Sequence, residues 1–166
     1  MASTVSLSIK LIRIGAGLLV IALASIGLTL WVTWQLEGGA AAVNEAGRMR
    51  MQTWRLNSSV AAQLPASDIN ALVAQFDQSL GLLRSGDPSR PLFVPWNDEV
   101  SRQFVIVEAL WQNQRPLWLG EVPPDAARSL QAAGEFVDAI DGFVLVIEKQ
   151  LSGYTAILNL FQFVMM

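Results

Sequence analysis

From Ile14 to Trp34 the sequence carries no charged side chain. A run of about twenty such residues spans roughly 30 Å of hydrocarbon when helical, and that limits what the chain can fold into. Lys10 and Arg13 precede the run and Glu37 follows it. The positive-inside rule then places the N-terminus in the cytoplasm, with Trp31 and Trp34 at the far headgroups. The small residues Gly38 to Ala42 would also suit a cleaved signal peptide. The apolar core is too long for a signal h-region, so an uncleaved anchor is expected. Leu151 to Met166 is again free of charge and slightly short of a full span, as the start of a second transmembrane helix would be. The expected order is a cytoplasmic segment 1–13, a first span 14–36, an outward-facing domain 37–150, and a truncated second span 151–166. A buried C-terminal helix is the competing reading of the last segment.

Composition narrows the chemistry. Of the 166 residues 52% are hydrophobic and 15% charged, and the net charge of −3 leaves no basic footprint for nucleic acid. His and Cys are both absent, which removes the usual zinc ligands, thiol chemistry and any Ser/His or Cys/His pair. The sequence therefore favours binding over catalysis, with no cofactor and no metal site expected.

The middle portion reads as helices. Ala46, Met49, Thr53, Leu56, Val60 and Leu64 form one apolar stripe that ends at Pro65. Ser67 is expected to cap a second helix with the stripe Ile69, Leu72, Phe76, Leu80 and Leu83. Gly86 to Trp96, with three prolines, is a connector from which Phe93 and Trp96 can fold back onto the core. Asn97 starts a third helix whose stripe is Val100, Phe104, Val107 and Trp111, ending at Pro116. Pro123 and Pro124 open a fourth, with Leu130, Ala133, Val137, Ile140, Val144, Ile147 and Leu151 along one face. The expected fold is all-α: an antiparallel up-down four-helix bundle flanked by two transmembrane helices. Its first and last helices run unbroken into the spans.

The segment Asn44 to Leu56 holds Arg48, Arg50 and Arg55, with no acid between Glu45 and Asp68. Arg48 and Arg55 share a stripe with Glu45 and Gln52 nearby, which reads as a solvated face. Arg50 instead shares its stripe with Gly47 and Trp54, on the flank of the core. A helix-interior glycine costs about 1 kcal/mol relative to alanine, and close approach of a second helix is the commonest reason for one. Two copies crossing near Gly47 would set their Arg50 side chains face to face. Guanidinium groups about 6 Å apart repel by roughly 3 kcal/mol at an effective dielectric near 20. A small planar anion would relieve that repulsion and accept forked hydrogen bonds from both. Nitrate, nitrite, bicarbonate or a small carboxylate would all serve. The competing reading pairs Arg50 with an acid from another helix, or leaves it in solvent.

The stretch Gly47–Leu56, G-R-M-R-M-Q-T-W-R-L, resembles the P-box of the NarX/NarQ nitrate/nitrite sensor histidine kinases, approximately G-x-L-R-M-Q-S-Y-R-L. Met49, Thr53 and Trp54 are conservative departures. The sensor region of such proteins is a PilJ-type helical domain, similar to that of type IV pili methyl-accepting chemotaxis proteins. The resemblance implies a periplasmic bundle in the bacterial inner membrane, dimeric, with one nitrate or nitrite held at the interface by Arg50 beside Gly47. Met51 and Trp54 are secondary candidates for the lining. It also implies an ATP-dependent histidine kinase and a cytoplasmic response regulator beyond this chain, which itself would not be an enzyme. A methyl-accepting chemoreceptor input and a ligand-free dimerisation module are the alternatives.

Other groups have bland readings. Asp138 and Asp141, with Glu135 and Glu148 nearby, suit the wet side of a helix. Trp96, Trp111 and Trp118 are expected in core and loop packing rather than in a cage for a cation. Gln52 and Asn57 are expected to be ordinary surface polarity.

Overall fold

The computed structural model describes residues 7–87, 89–121 and 126–165. Four helices follow one another: α1, Leu7–Ala61; α2, Ala66–Ser85; α3, Asp98–Trp118; and α4, Ala126–Met165. The chain is all-helical, with no strand among the described residues beyond one isolated bridge between Asp87 and Leu92. The expected opening of α4 at Pro123 and Pro124 lies outside the described residues.

α1 is 55 residues long and unbroken, about 80 Å of helix. Its first half stands bare: Leu11, Ile14, Leu18, Leu19, Leu23 and Leu30 are all exposed. Burial begins at Val32 and continues through Ala42, Ala46, Met49, Thr53 and Leu56. α1 is the one helix among the described residues long and apolar enough to cross a membrane. The far end of α4 carries exposed Ile157, Leu160, Phe163 and Val164, but does not reach that length and composition.

From Val32 onward α1 packs most extensively against α4; α3 against α4 and α1 against α2 follow. α2 and α3 touch lightly, and of the diagonal pairs α1 and α3 barely touch while α2 and α4 stand farther apart. That is the neighbour order of an antiparallel up-down arrangement. The core gathers Met49, Leu56, Phe76, Leu83, Val107, Trp111, Phe136, Ile140 and Phe143. At its centre Phe76 stacks on Trp111 at 4.0 Å, and Phe136 meets both rings edge-on.

The expected stripes of α1, α2 and α3 are the buried faces, except that Val60 and Ile69 are half-buried and Leu64 is exposed. α4 differs. Its buried face is Ser129, Ala132, Ala133, Phe136, Ala139, Ile140, Phe143 and Ile147, while Leu130 is 55% exposed. Small residues on that face let α4 lie close to its neighbours. Ser67 does not cap α2: the residue preceding the helix is Pro65, and the Ser67 hydroxyl donates to Asp68 instead. Asn97 caps α3 as expected, its Oδ1 accepting from the Val100 amide at 2.8 Å. α3 runs past Pro116 to Trp118, because a proline in a last turn forfeits only one backbone donor.

Gly38 and Gly39 have a packing reason for being small. A Cβ on Gly38 would fall 2.1 Å from the Phe93 ring, and one on Gly39 would fall 2.5 Å from the Leu151 side chain. The α2–α3 connector thus lays Phe93 across α1, where the ring also meets Trp34 at 4.3 Å. Gly86 makes the turn that aims the connector, with φ of 75° and the Leu92 carbonyl oxygen 2.8 Å from where a Cβ would sit.

Candidate functional site

Arg50 lies mid-way along the packed half of α1, and its side chain is 44% exposed. Its Nη1 donates to Asp141 Oδ1 of α4 at 2.6 Å, and the Asp141 side chain is 49% exposed. The acid expected only to face solvent does face solvent, and it also bridges to α1, which is the competing arrangement for Arg50: a pair with an acid from another helix. Gly47, one turn before, is half-buried; a Cβ there would meet Arg50 Nη2 at 3.4 Å. That is ordinary van der Waals contact with the end of a flexible side chain, so the arginine's placement does not require a glycine there. Met51 and Trp54 beside it are 66% and 43% exposed, large apolar groups open to solvent. On α4, one turn beyond Asp141, Leu145 is 65% exposed. Arg50 thus sits within an open, partly apolar surface of the α1–α4 pair.

The other two arginines part company. Arg55 is exposed, as expected. Glu45, expected on the same solvated face, is only 4% exposed, because α2 and the α2–α3 connector cover it. Arg48 pairs with it and also reaches the Ser79 hydroxyl of α2 at 3.3 Å. Arg90 of the connector approaches Glu45 from the other side at 3.6 Å while donating to Asp87 at 2.9 Å. Asp87 accepts from the Ser89 hydroxyl and amide, and these with Arg90 hold its carboxyl below the ordinary value. Gln52 is half-buried on this side, with its Oε1 sealed and unpartnered.

Sequence reasoning missed a polar cleft of about 390 Å³ between α2 and α3, lined by Asp77, Leu80, Arg84, Glu108, Gln112 and Arg115. Asp77 accepts from Trp111 Nε1 at 2.7 Å and from Arg115 at 3.2 Å, and Arg84 pairs with Glu108. Each cation there is matched by an acid, so the cleft presents balanced charge. Nothing local in the sequence joins Asp77 to Arg115. The tryptophans pack rather than form a cage: Trp111 and Trp118 are buried, while Trp96, 42% exposed, covers Phe104 edge-on at 5.2 Å.

A second polar chain ties the helices near the apolar stretches. Asn97 donates to Gln150 of α4 at 2.6 Å, and Gln150 donates to the Tyr154 hydroxyl at 2.9 Å. The Tyr154 ring meets Trp31 of α1 edge-on at 5.3 Å. α1 and α4 are therefore linked both at the Arg50–Asp141 bridge and where the bare half of α1 begins.

A family profile described as PilJ, type IV pili methyl-accepting chemotaxis transducer N-term, matches residues 31–136, well over half of the chain. The match opens at Trp31, where burial of α1 starts, and closes at Phe136 in the core of α4. No curated protein matches the chain.

Proposed function

The chain belongs to the PilJ family, the N-terminal region of type IV pili methyl-accepting chemotaxis transducers; on the resemblance of Gly47–Leu56 to the P-box we propose that this sensory region takes a small oxyanion, nitrate or nitrite, at Arg50. Family membership makes it a helical sensory input region of the chemotaxis-transducer kind. The bare half of α1 supports a membrane anchor over 14–36; in this reading 37–150 lies outside the cytoplasm and the exposed apolar end of α4 starts a second span.

What supports the anion reading is the exposure of Arg50, although its guanidinium already holds the Asp141 carboxylate, as in the competing reading. An ion pair this exposed contributes at most about 1 kcal/mol, so a dissolved anion can exchange with the carboxylate. The planar guanidinium offers nitrate or nitrite two parallel donors. A second copy of the chain, packed on the Met51 and Trp54 surface, would bring a second Arg50 to the same anion. Replacing Asp141 by that anion removes a polar tie between α1 and α4. The helix that enters the membrane first then shifts relative to the helix that leaves the domain last.

Two output modules fit such an input. The family favours a methyl-accepting coiled coil, and the Gly47–Leu56 resemblance to the P-box favours a histidine kinase with its response regulator. Both would be driven by the same displacement.

The chain contains no cysteine, so Trp31→Cys with Tyr154→Cys gives a clean crosslinking pair across the α1–α4 contact. Saturating nitrate should change its crosslinking rate, and Arg50→Ala should abolish that change. Equal rates with and without nitrate in the parent chain would defeat the coupling.

A further inference from the structure

Helix rise places the outer end of the bare stretch of α1. Ile14 to Trp34 covers about 30 Å, the thickness of the hydrocarbon core, and each headgroup layer adds roughly 5–7 Å beyond it. Gly38 is one turn past Trp34, about 6 Å, and so falls within the outer headgroup layer. The α2–α3 connector is fastened at that level. The Phe93 amide donates to the Gly38 carbonyl at 3.4 Å, and the Phe93 ring lies on Trp34. α4 holds the far end of the connector at a similar height. Asn97 bonds Gln150, one turn before the Tyr154 whose ring meets Trp31.

What the connector exposes suits that layer. Leu92 and Val94 are buried in the bundle, whereas Pro91 and Trp96 are exposed, as are Trp31 and Trp34 of α1. Indole rings, with an apolar body and a polar N–H, settle at the headgroup level of a bilayer. A cleft of about 610 Å³ lies between Trp34 and the connector, lined also by Ser89, Arg90, Pro91 and Phe93. The nearby charge is spent within the protein. Arg90 donates to Asp87 and approaches Glu45, Arg84 pairs with Glu108, and Lys149 holds Glu99 at the start of α3. Each of these three cations has an acid partner, so the surface is matched to a lipid without net charge.

We propose that the α2–α3 connector is a membrane-contact surface, seated in the outer headgroup layer on zwitterionic phospholipid through Trp34, Pro91, Phe93 and Trp96. The proposal rests on the membrane-anchor reading of α1 and is independent of the anion reading at Arg50.

The chain contains no cysteine, so single spin labels can report depth in the full chain. Ile21→Cys, Glu37→Cys, Ser67→Cys, Pro91→Cys and Trp96→Cys are each labelled and reconstituted in phosphatidylcholine nanodiscs that contain a nickel-chelating lipid. The headgroup-borne nickel relaxes labels close to it. The label at 21 reads the anchor itself, and should meet oxygen but not a water-soluble relaxant. Labels at 91 and 96 should be relaxed by the nickel lipid as strongly as the label at 37, on α1 beside Gly38. The label at 67, beyond the end of α1 and about 40 Å of helix from Trp34, should lose the effect. Adding phosphatidylglycerol should leave this pattern unchanged. An oxygen-accessible label at 21 with labels at 91 and 96 no more relaxed than that at 67 would overturn the proposal and spare the anchor. A label at 21 open to the water-soluble relaxant would overturn both. Relaxation at 91 and 96 that appears only with phosphatidylglycerol would overturn the zwitterionic surface in favour of charge attraction.

Discussion

Arg50 of α1 and Asp141 of α4, ninety-one residues apart in sequence, meet at 2.6 Å on an open face of the bundle. Both side chains are close to half exposed, so the pair is a weak tie in energy. Its position gives it weight. It joins the two helices that pack most extensively, at the one arginine of the Gly47–Leu56 segment that lies on the flank of the core.

Removing the carboxylate should leave the guanidinium open. Asp141→Asn is expected to tighten nitrate binding, by at most about fivefold given the size of an exposed pair. Its effect on stability should stay within about 1 kcal/mol, read by denaturant unfolding of the chain in detergent.

The Phe76–Trp111–Phe136 cluster should dominate the stability of the bundle. Phe136→Ala is expected to cost about 3–5 kcal/mol, since a fully buried ring is lost and three helices hold the cavity open. Thermal melting followed by circular dichroism reads this directly.

Gly38→Val should expel Phe93 from its seat on α1. The clash is with a ring packed against Trp34, so the connector must move, at a cost of about 1–3 kcal/mol. Protease sensitivity within 86–96 should rise, whereas Gly81→Ala, at a site with open space, should leave it unchanged.

The connector should also loosen in acid. Ser89, first through its hydroxyl and then through its amide, and Arg90 hold the Asp87 carboxyl below its ordinary value of 3.8. A depressed carboxylate stabilises the fold fully above that ordinary value and loses the contribution as pH falls through the lower folded one. Hydrogen exchange of the amides in 86–93, corrected for intrinsic rates, should therefore quicken below about pH 4 and be flat from pH 5 to 8. Asp87→Asn should remove the dependence.

Much of this architecture was legible in the sequence because each helix buries one face. Val100, Phe104, Val107 and Trp111 declare α3 by spacing alone, and Asn97 declares its start. α4 was misjudged at Leu130 because small residues such as Ser129 and Ala132 bury as well as large ones where helices lie close. A reading by apolarity passes over them. Glu45 departs from its expected solvated face because Arg90 of the connector lies against it, a contact no local pattern encodes. The Arg50 stripe was legible from Gly47, but its partner was not. Asp141 lies on a face that periodicity assigns to water, and only the packing of α4 on α1 brings it within reach.

The anion account stands or falls on binding at Arg50. Isothermal titration of the full chain in nanodiscs with nitrate, nitrite and chloride, on the parent, Arg50→Ala and Asp141→Asn, tests it most directly. The account predicts saturable nitrate or nitrite binding by the parent and loss of it in Arg50→Ala. Chloride, which offers one acceptor atom in place of two oxygens set for parallel N–H donors, should bind more weakly. Nitrate binding that Arg50→Ala leaves unchanged, or its absence from the parent chain, would contradict it.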